Sequence, residues 1–241
     1  MRLVSKTLLG IFSAAALNLS LIAPVMSISL EDTQKKLDVV AVFVLVDDRG
    51  DFYQISQGDM QIVPLYLRLS DADSQLKQFL ESNKSSKARI AAYSLNVFNK
   101  KTADLRKLVA EKGKRLETPV VIPEADMTKG RDILREEGLS DANIASGLRV
   151  PVFFAEPMVV GTDSKGKKRE IFFMSFSQLQ QAVSVFPEDE RSKLKIRVAD
   201  LQVVLESIQR DKEDRYIFMP TEDYSKIRKE MLESKGASDK D

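Results

Sequence analysis

The same series of landmarks occurs twice along this chain, in the same order. Val40-Ala41-Val42-Phe43 opens one series and Val150-Pro151-Val152-Phe153 the other. Lys87-Ala88-Arg89-Ile90 is answered by Lys193-Leu194-Lys195-Ile196, and each is followed five residues on by a leucine, Leu95 or Leu201. Val121-Ile122-Pro123-Glu124-Ala125-Asp126 is mirrored by Phe218-Met219-Pro220-Thr221-Glu222-Asp223, and Lys129 and Arg131 by Lys226 and Arg228. The offset falls from 110 to 106 to 97 residues, as small insertions between shared landmarks require. A solenoid needs several short repeats, so two long ones predict one pseudo-symmetric body. The competing reading is chance similarity between halves of low identity. Preservation of order argues against it.

Each copy reads as β-β-α-β-α-β-α, an α/β (α+β) pattern with helices laid against a sheet. In the first copy, Val39 to Val46 is an unbroken apolar run, as in a buried strand. Asp47 to Asp51 is a turn, Phe52 to Ile55 begins a return strand, and Met60 to Leu69 is a strand in which Pro64 marks an edge or bulge. Ser70 with Asp73 predicts a capped helix to about Glu81, followed by a strand over 88–93 and a helix over 95–111. A short strand over 119–122 and a helix over 127–137 close the copy. The second copy predicts a strand or hairpin over 150–160 and strands over 169–174, 193–198 and 216–219. Its helices fall over 178–185 and 201–209, with a last one capped by Thr221 and running to about Glu233. The expected division is repeat one over 37–138 and repeat two over 148–236, within a single domain spanning 28–236, and a polar tail over 237–241. The connection over 138–149 holds Leu139, Ile144 and Leu148, so it reads as packed structure rather than a flexible linker.

Ahead of the repeats, Arg2 and Lys6 precede an apolar stretch from Leu8 to Pro24 with small residues Ser13 to Ala16, and Val25-Met26-Ser27 offers a cleavage site. Residues 1–27 therefore read as a secretory signal peptide. An uncleaved anchor is the alternative, weakened by Ser13, Asn18, Ser20 and Pro24.

Two absences narrow the chemistry. The chain has no histidine and no cysteine. That excludes Ser-His-Asp and Cys-His nucleophile systems, disulfides and zinc sites of the usual ligand types. With 37 basic and 36 acidic residues interspersed, no nucleic-acid face is expected. Asp47, Asp48 and Asp51 lack EF-hand spacing, and Gly166-Lys167-Lys168 lacks the serine or threonine and the helix of a P-loop. Glu188-Asp189-Glu190 and Glu213-Asp214 each read as a helix start or a solvated turn. Ser85-Ser86-Lys87 and Ser192-Lys193 have no S-x-x-K context. The expectation is a non-enzymatic protein without catalytic residues, cofactor or metal.

The apolar inventory is more suggestive. The runs Val150 to Val160 and Ile171 to Phe176 are apolar on both faces of a strand, with Phe172 and Met174 to one side and Phe173 to the other. Either helices cover both faces or one face is an open groove, which soluble proteins rarely expose unless something binds there. On the second reading, the contact residues would be Phe43, Phe153, Phe154, Met158, Phe172 and Met174.

The phrase Val150-Pro151-Val152-Phe153-Phe154, the paired units and the leader together resemble the family of the twenty-two-kilodalton subunit of the chloroplast inner-envelope translocon (Tic), with its cyanobacterial relatives. The resemblance spans about Leu30 to Met219. It implies a soluble, non-enzymatic protein of the space between two membranes, with a pseudo-two-fold α/β fold and hydrophobic pockets on opposite sides. It also implies chaperoning of unfolded or translocating proteins, a role in outer-membrane biogenesis, and an outer-membrane barrel assembly factor as partner. Peripheral membrane association fits the same picture. The short leader favours a cyanobacterial periplasm over a plastid intermembrane space. The alternative function is a structural docking subunit that recognises one envelope membrane partner.

Overall fold

A computed structural model describes residues 28–163 and 166–224. The leader over 1–27, most of the last expected helix, the tail over 237–241 and two residues of the basic 161–168 hairpin lie outside the described residues. In chain order, the first half contains α1 (Leu30–Lys35), a 3₁₀ turn (Lys36–Val39), β1 (Ala41–Val46), β2 (Ile55–Gln57), β3 (Met60–Ile62), β4 (Leu65–Tyr66), α2 (Leu69–Ser82), β5 (Arg89–Ser94), α3 (Leu95–Glu111), β6 (Arg115–Glu117), β7 (Val120–Val121) and α4 (Glu124–Glu136). After α5 (Asp141–Gly147) come β8 (Pro151–Glu156), β9 (Val160–Thr162), β10 (Lys168–Phe172), α6 (Phe176–Ser184), α7 (Glu188–Arg191), β11 (Lys195–Asp200), α8 (Leu201–Arg210) and β12 (Tyr216–Phe218). Pro64, which has no N–H to give a ladder, separates β3 from β4 inside the expected single strand. Phe52 makes only one bridge to Val46, so the expected return strand begins later, at Ile55.

The two halves pair their strands in partly similar ways, with β9 adding an antiparallel neighbour to β10 that the first sheet lacks. The first sheet has the order β5-β1-β4-β7, with β1 antiparallel to β5 and β4, and β4 parallel to β7. In the second half β8 pairs antiparallel with β11, and β10 runs parallel to β12. The two pairs are joined where Phe153 and Phe173 exchange backbone hydrogen bonds of 2.8 and 2.9 Å. Phe43 faces Tyr66 at the corresponding place. The small sheet β2-β3-β6 stands apart from both.

Alternation along the strands sorts side chains onto two faces. Val42, Val44 and Val46 of β1 enter the largest core, as do Val152, Phe172, Met174 and Phe218 from the second half. Both halves thus share one core, closed on its flanks by the 3₁₀ turn, α3 and α8. Phe172 and Met174 lie in that core and Phe173 in another, as the alternation requires. The outer face of the second sheet carries Phe153, Ala155, Phe173 and Val198 under α4, α5 and α6. The outer face of the first sheet carries a smaller cluster of Ala41, Phe43 and Tyr66, covered by Ala72 of α2. The connection between halves is packed, with Ile144 and Leu148 buried.

Helix α4 leaves the first half and lies across β8 and β11 of the second. Gly130 permits this approach. A Cβ there would meet Leu148 Cδ2 at 3.2 Å, Pro151 Cβ at 3.3 Å and Val198 Cγ2 at 3.6 Å. The chain after β12 crosses in the other direction. The Ala41 N–H donates to Thr221 Oγ1 (3.0 Å), and the Thr221 N–H donates to the Val39 carbonyl (3.2 Å).

Candidate functional site

Both crossings meet at a seam. Each begins with Pro-x-x-Asp at the end of a parallel strand, Pro123 to Asp126 and Pro220 to Asp223. Asp126 Oδ1 accepts from the N–H of Phe176, the first residue of α6 (3.0 Å). Asp223 Oδ2 accepts from the N–H of Leu69, the first residue of α2 (3.1 Å). The flanking residues of those helices, Arg68 and Ser175, make no side-chain cap of their own. Each half therefore caps a helix of the other, satisfying N–H groups that the helix itself leaves unpaired. The Ser70 cap expected from sequence is absent. Ser70 lies inside α2, and its hydroxyl turns to Asp71. Asp126 is buried and also accepts from Arg68 Nη2 at 3.0 Å.

A cavity of about 340 Å³ opens at this seam, lined by Leu67, Arg68, Asp73, Met174, Gln178 and Glu222 together with the two aspartates. Its four carboxylates outnumber its one guanidinium, so its field favours cations. Gln178 Nε2 donates to the Pro220 carbonyl at 2.8 Å, and Oε1 is buried without a protein partner. A second cavity of about 220 Å³ lies beside α4, between Val120, Ile122, Met127 and the guanidinium groups of Arg131 and Arg149.

The sequence-selected apolar residues divide into two groups. Phe43, Phe153, Phe172 and Met174 are buried, between 0 and 5% exposed. This corrects the open-groove reading for these four. Strand runs apolar on both faces are covered on both faces, and the covering segments arrive from the other half of the chain or from elements far along it. Phe154 and Met158 remain half-buried at the margin of the shared core. The Phe154 ring meets Phe172 edge-on at 5.6 Å, and Phe172 leans on Tyr216 at 5.3 Å. Half-buried Leu205 of α8 belongs to the same margin. The first half has its own aromatic margin, where half-buried Phe52 packs edge-on against Tyr93 at 5.9 Å and against buried Phe98 at 5.5 Å. Sequence reasoning missed Phe52 and Tyr93. Phe52 stands outside any strand, β5 is mixed in polarity, and no apolar run announces either residue.

A polar lip borders the second margin. Burial pushes the carboxyl of Glu170, which stands opposite Tyr216 in the β10–β12 ladder, above its usual range despite nearby Arg215. Burial likewise raises the Tyr216 phenol. Asp211 behaves in the opposite way. Burial opposes its charge, but the N–H groups of Arg215 and Glu213 and the Arg215 guanidinium outweigh it and hold the carboxyl low. A raised carboxyl binds its proton more tightly in the folded chain, so its contribution to stability is full in acid and lost as pH rises through the shifted value. Glu170→Gln should therefore raise the melting temperature at about pH 7 and leave it nearly unchanged near pH 4. Equal gains at both pH values would contradict the burial argument.

No helix among the described residues is long and apolar enough to cross a membrane. Among those residues no cluster of three metal-ligating side chains forms. The model of the Tic22-like family matches residues 10–230. Two solved structures share the fold. "Anabaena Tic22 (protein transport)" is 15% identical, with a TM-score of 0.65 over 84% of this chain and 97% of that one. Tic22 from Plasmodium falciparum is 19% identical, with a TM-score of 0.62 over 83% of this chain and 98% of that one. No curated protein sequence matches the chain.

Proposed function

The chain belongs to the Tic22-like family, and we propose that it acts in protein transport as a non-enzymatic binding protein that shields extended apolar segments of client proteins. The observation that carries this reading is the half-buried margin of Phe154 and Met158, continuous with the aromatic core behind it. A client segment burying roughly 200 Å² of apolar area there gains about 5 kcal/mol before the costs of association, which makes a weak, exchangeable site. The margin of Phe52 and Tyr93 supplies a second, and a client engaging both gains avidity. Phe43, Phe153, Phe172 and Met174 serve from beneath, as the packed support of these margins. The two halves are repeats related by a pseudo-two-fold axis through the seam, a relation supported by their partly similar strand pairing and mutual capping. The leader directs export to a cyanobacterial-type periplasm, with a plastid intermembrane space as the alternative. Clients are unfolded or translocating proteins, and an outer-membrane barrel assembly factor is the membrane-side partner.

The test is suppression of aggregation. The purified chain without its leader should retard aggregation of an unfolded outer-membrane protein. Phe154→Glu and Met158→Glu should abolish that effect while leaving the circular dichroism spectrum intact. A parent chain that leaves aggregation unchanged but pulls down one membrane component in stoichiometric amount would favour the docking-subunit reading instead.

A further inference from the structure

We propose that the open edge of β5 docks an extended segment of a client protein as an added antiparallel strand, with an apolar side chain beside Ala91 and carboxylates beside Arg89 and Lys101. The proposal rests on the client-binding reading and states how a client is held at the margin of Phe52 and Tyr93.

Backbone groups define the kind of partner. Among the described residues, β5 pairs with β1 on one side and with no strand on the other. One residue beyond the Ala41–Ser94 pair, the Leu95 N–H donates to the Val40 carbonyl at 2.8 Å. Hydrogen-bonded pairs alternate along an antiparallel ladder, so Tyr93, Ala91 and Arg89 also bond β1. The far side of β1 has the matching phase, because the Tyr53 N–H donates to the Leu45 carbonyl at 3.0 Å. Ile90 and Ala92 therefore turn their N–H and C=O groups away from β1, toward the open edge. Burial agrees with this. Every residue of β5 is half-buried or exposed, even Ala91 and Ala92, whereas β1 is buried at every residue but Leu45.

Open edges are ordinarily guarded by charge. The outer strand of the second sheet, β11, is guarded in this way. Lys195 is exposed at its start, and Arg197 in its middle is tied to Glu137 at 2.7 Å and to Glu156 at 2.8 Å. In β5 no charged residue follows Arg89. Outward backbone donors and acceptors on an unguarded edge match an extended main chain.

Side chains narrow the partner further. Arg89, Ala91 and Tyr93 alternate onto the face of the aromatic margin, and Ile90 and Ala92 onto the face under α2. Tyr93 meets Phe52, and Lys101 Nζ lies 5.5 Å from the Tyr93 ring centre. Neither Arg89 nor Lys101 forms an ion pair among the described residues. An added strand thus meets a cation at each end of this face and a small residue between them. Ala91 leaves room for a large apolar side chain to reach the rings of Phe52 and Tyr93. Opposite charges and apolar–aromatic pairs across neighbouring strands both stabilise a ladder.

A labelled peptide with blocked ends, Thr-Glu-Val-Phe-Val-Glu-Thr, carries this pattern, and fluorescence anisotropy with the full chain should show saturable binding. In the proposed register its phenylalanine stands opposite Ala91, and its two valines exchange hydrogen bonds with Ile90 and Ala92. N-methylation of both valines should abolish binding, whereas N-methylation of the phenylalanine should change it by less than about twofold. On the protein side, Ala92→Pro removes an outward N–H and no bond to β1, so it should fold and weaken binding at least about tenfold. Ile196→Pro makes the same change on β11 and should bind as the parent does. If Ala92→Pro fails to fold, the exposed pair Arg89→Glu with Lys101→Glu should show the same loss of about tenfold in its place. Any other methylation pattern overturns the proposal, as does a folded Ala92→Pro chain that binds normally. So does a parent chain that ignores the peptide or pairs with a second copy through this edge. Suppressed client aggregation alongside any of those results leaves the shielding reading standing and removes only the strand pairing.

Discussion

Phe153→Asp should yield no stably folded protein, while Phe154→Asp, one residue along, should fold with an unchanged circular dichroism spectrum. Phe153 is fully buried on the outer face of the second sheet, with its ring 5.6 Å from that of Phe176 and its backbone tied to Phe173 in both directions. Truncating a buried phenylalanine costs about 3–5 kcal/mol. A carboxylate placed there without a partner costs several more, or takes up a proton at comparable expense. Together these approach the roughly 5–15 kcal/mol that hold a domain of this kind together. Phe154 points to the opposite side of the strand and is half-buried, so a carboxylate there reaches water. Gel filtration and urea titration distinguish the two. A folded, compact Phe153→Asp protein that had lost client binding would restore Phe153 as a contact residue and refute its assignment to the core.

That pair of neighbours also marks how far the sequence could be read. Alternation separated Phe172 and Met174 from Phe173 correctly. Coverage was not legible, because a strand's own pattern does not record which segment crosses over it. The cover for Phe153 comes partly from α4, a helix of the other half, so the strand looks equally apolar whether covered or open. The caps were hidden for a related reason. Pro-x-x-Asp was visible as a repeated phrase, but Asp126 serves an N–H 50 residues later and Asp223 one 154 residues earlier. Ser70 looked like the local cap because local sequence offers no sign of a competitor arriving from the end of the chain. Nor does the local sequence around Gly130 announce the close approach of Leu148, Pro151 and Val198 that its missing Cβ allows.

Asp126→Ala should lower stability by about 3 kcal/mol without changing the fold. The carboxylate is only 4% exposed, and both oxygens are engaged, Oδ1 by the Phe176 N–H and Oδ2 by Arg68 Nη2. Loss of a helix N-cap costs about 0.5–2 kcal/mol. A hydrogen bond to a charged group contributes about 1.5–3 kcal/mol, and here the lower end applies to Arg68, whose side chain is 41% exposed and recovers water. Asp126→Asn keeps the shape, but its amide can accept through only one atom and must turn its NH₂ toward a donor, so it should recover about half of the loss. The location of the defect matters as much as its size. The seam joins halves that share a single core, so the Asp126→Ala protein should still unfold in one transition, with the denaturant slope of the parent. Two separated transitions would mean that the trans-caps, rather than the common core, hold the halves together. A loss below about 1 kcal/mol would mean that neither cap nor ion pair matters at this position.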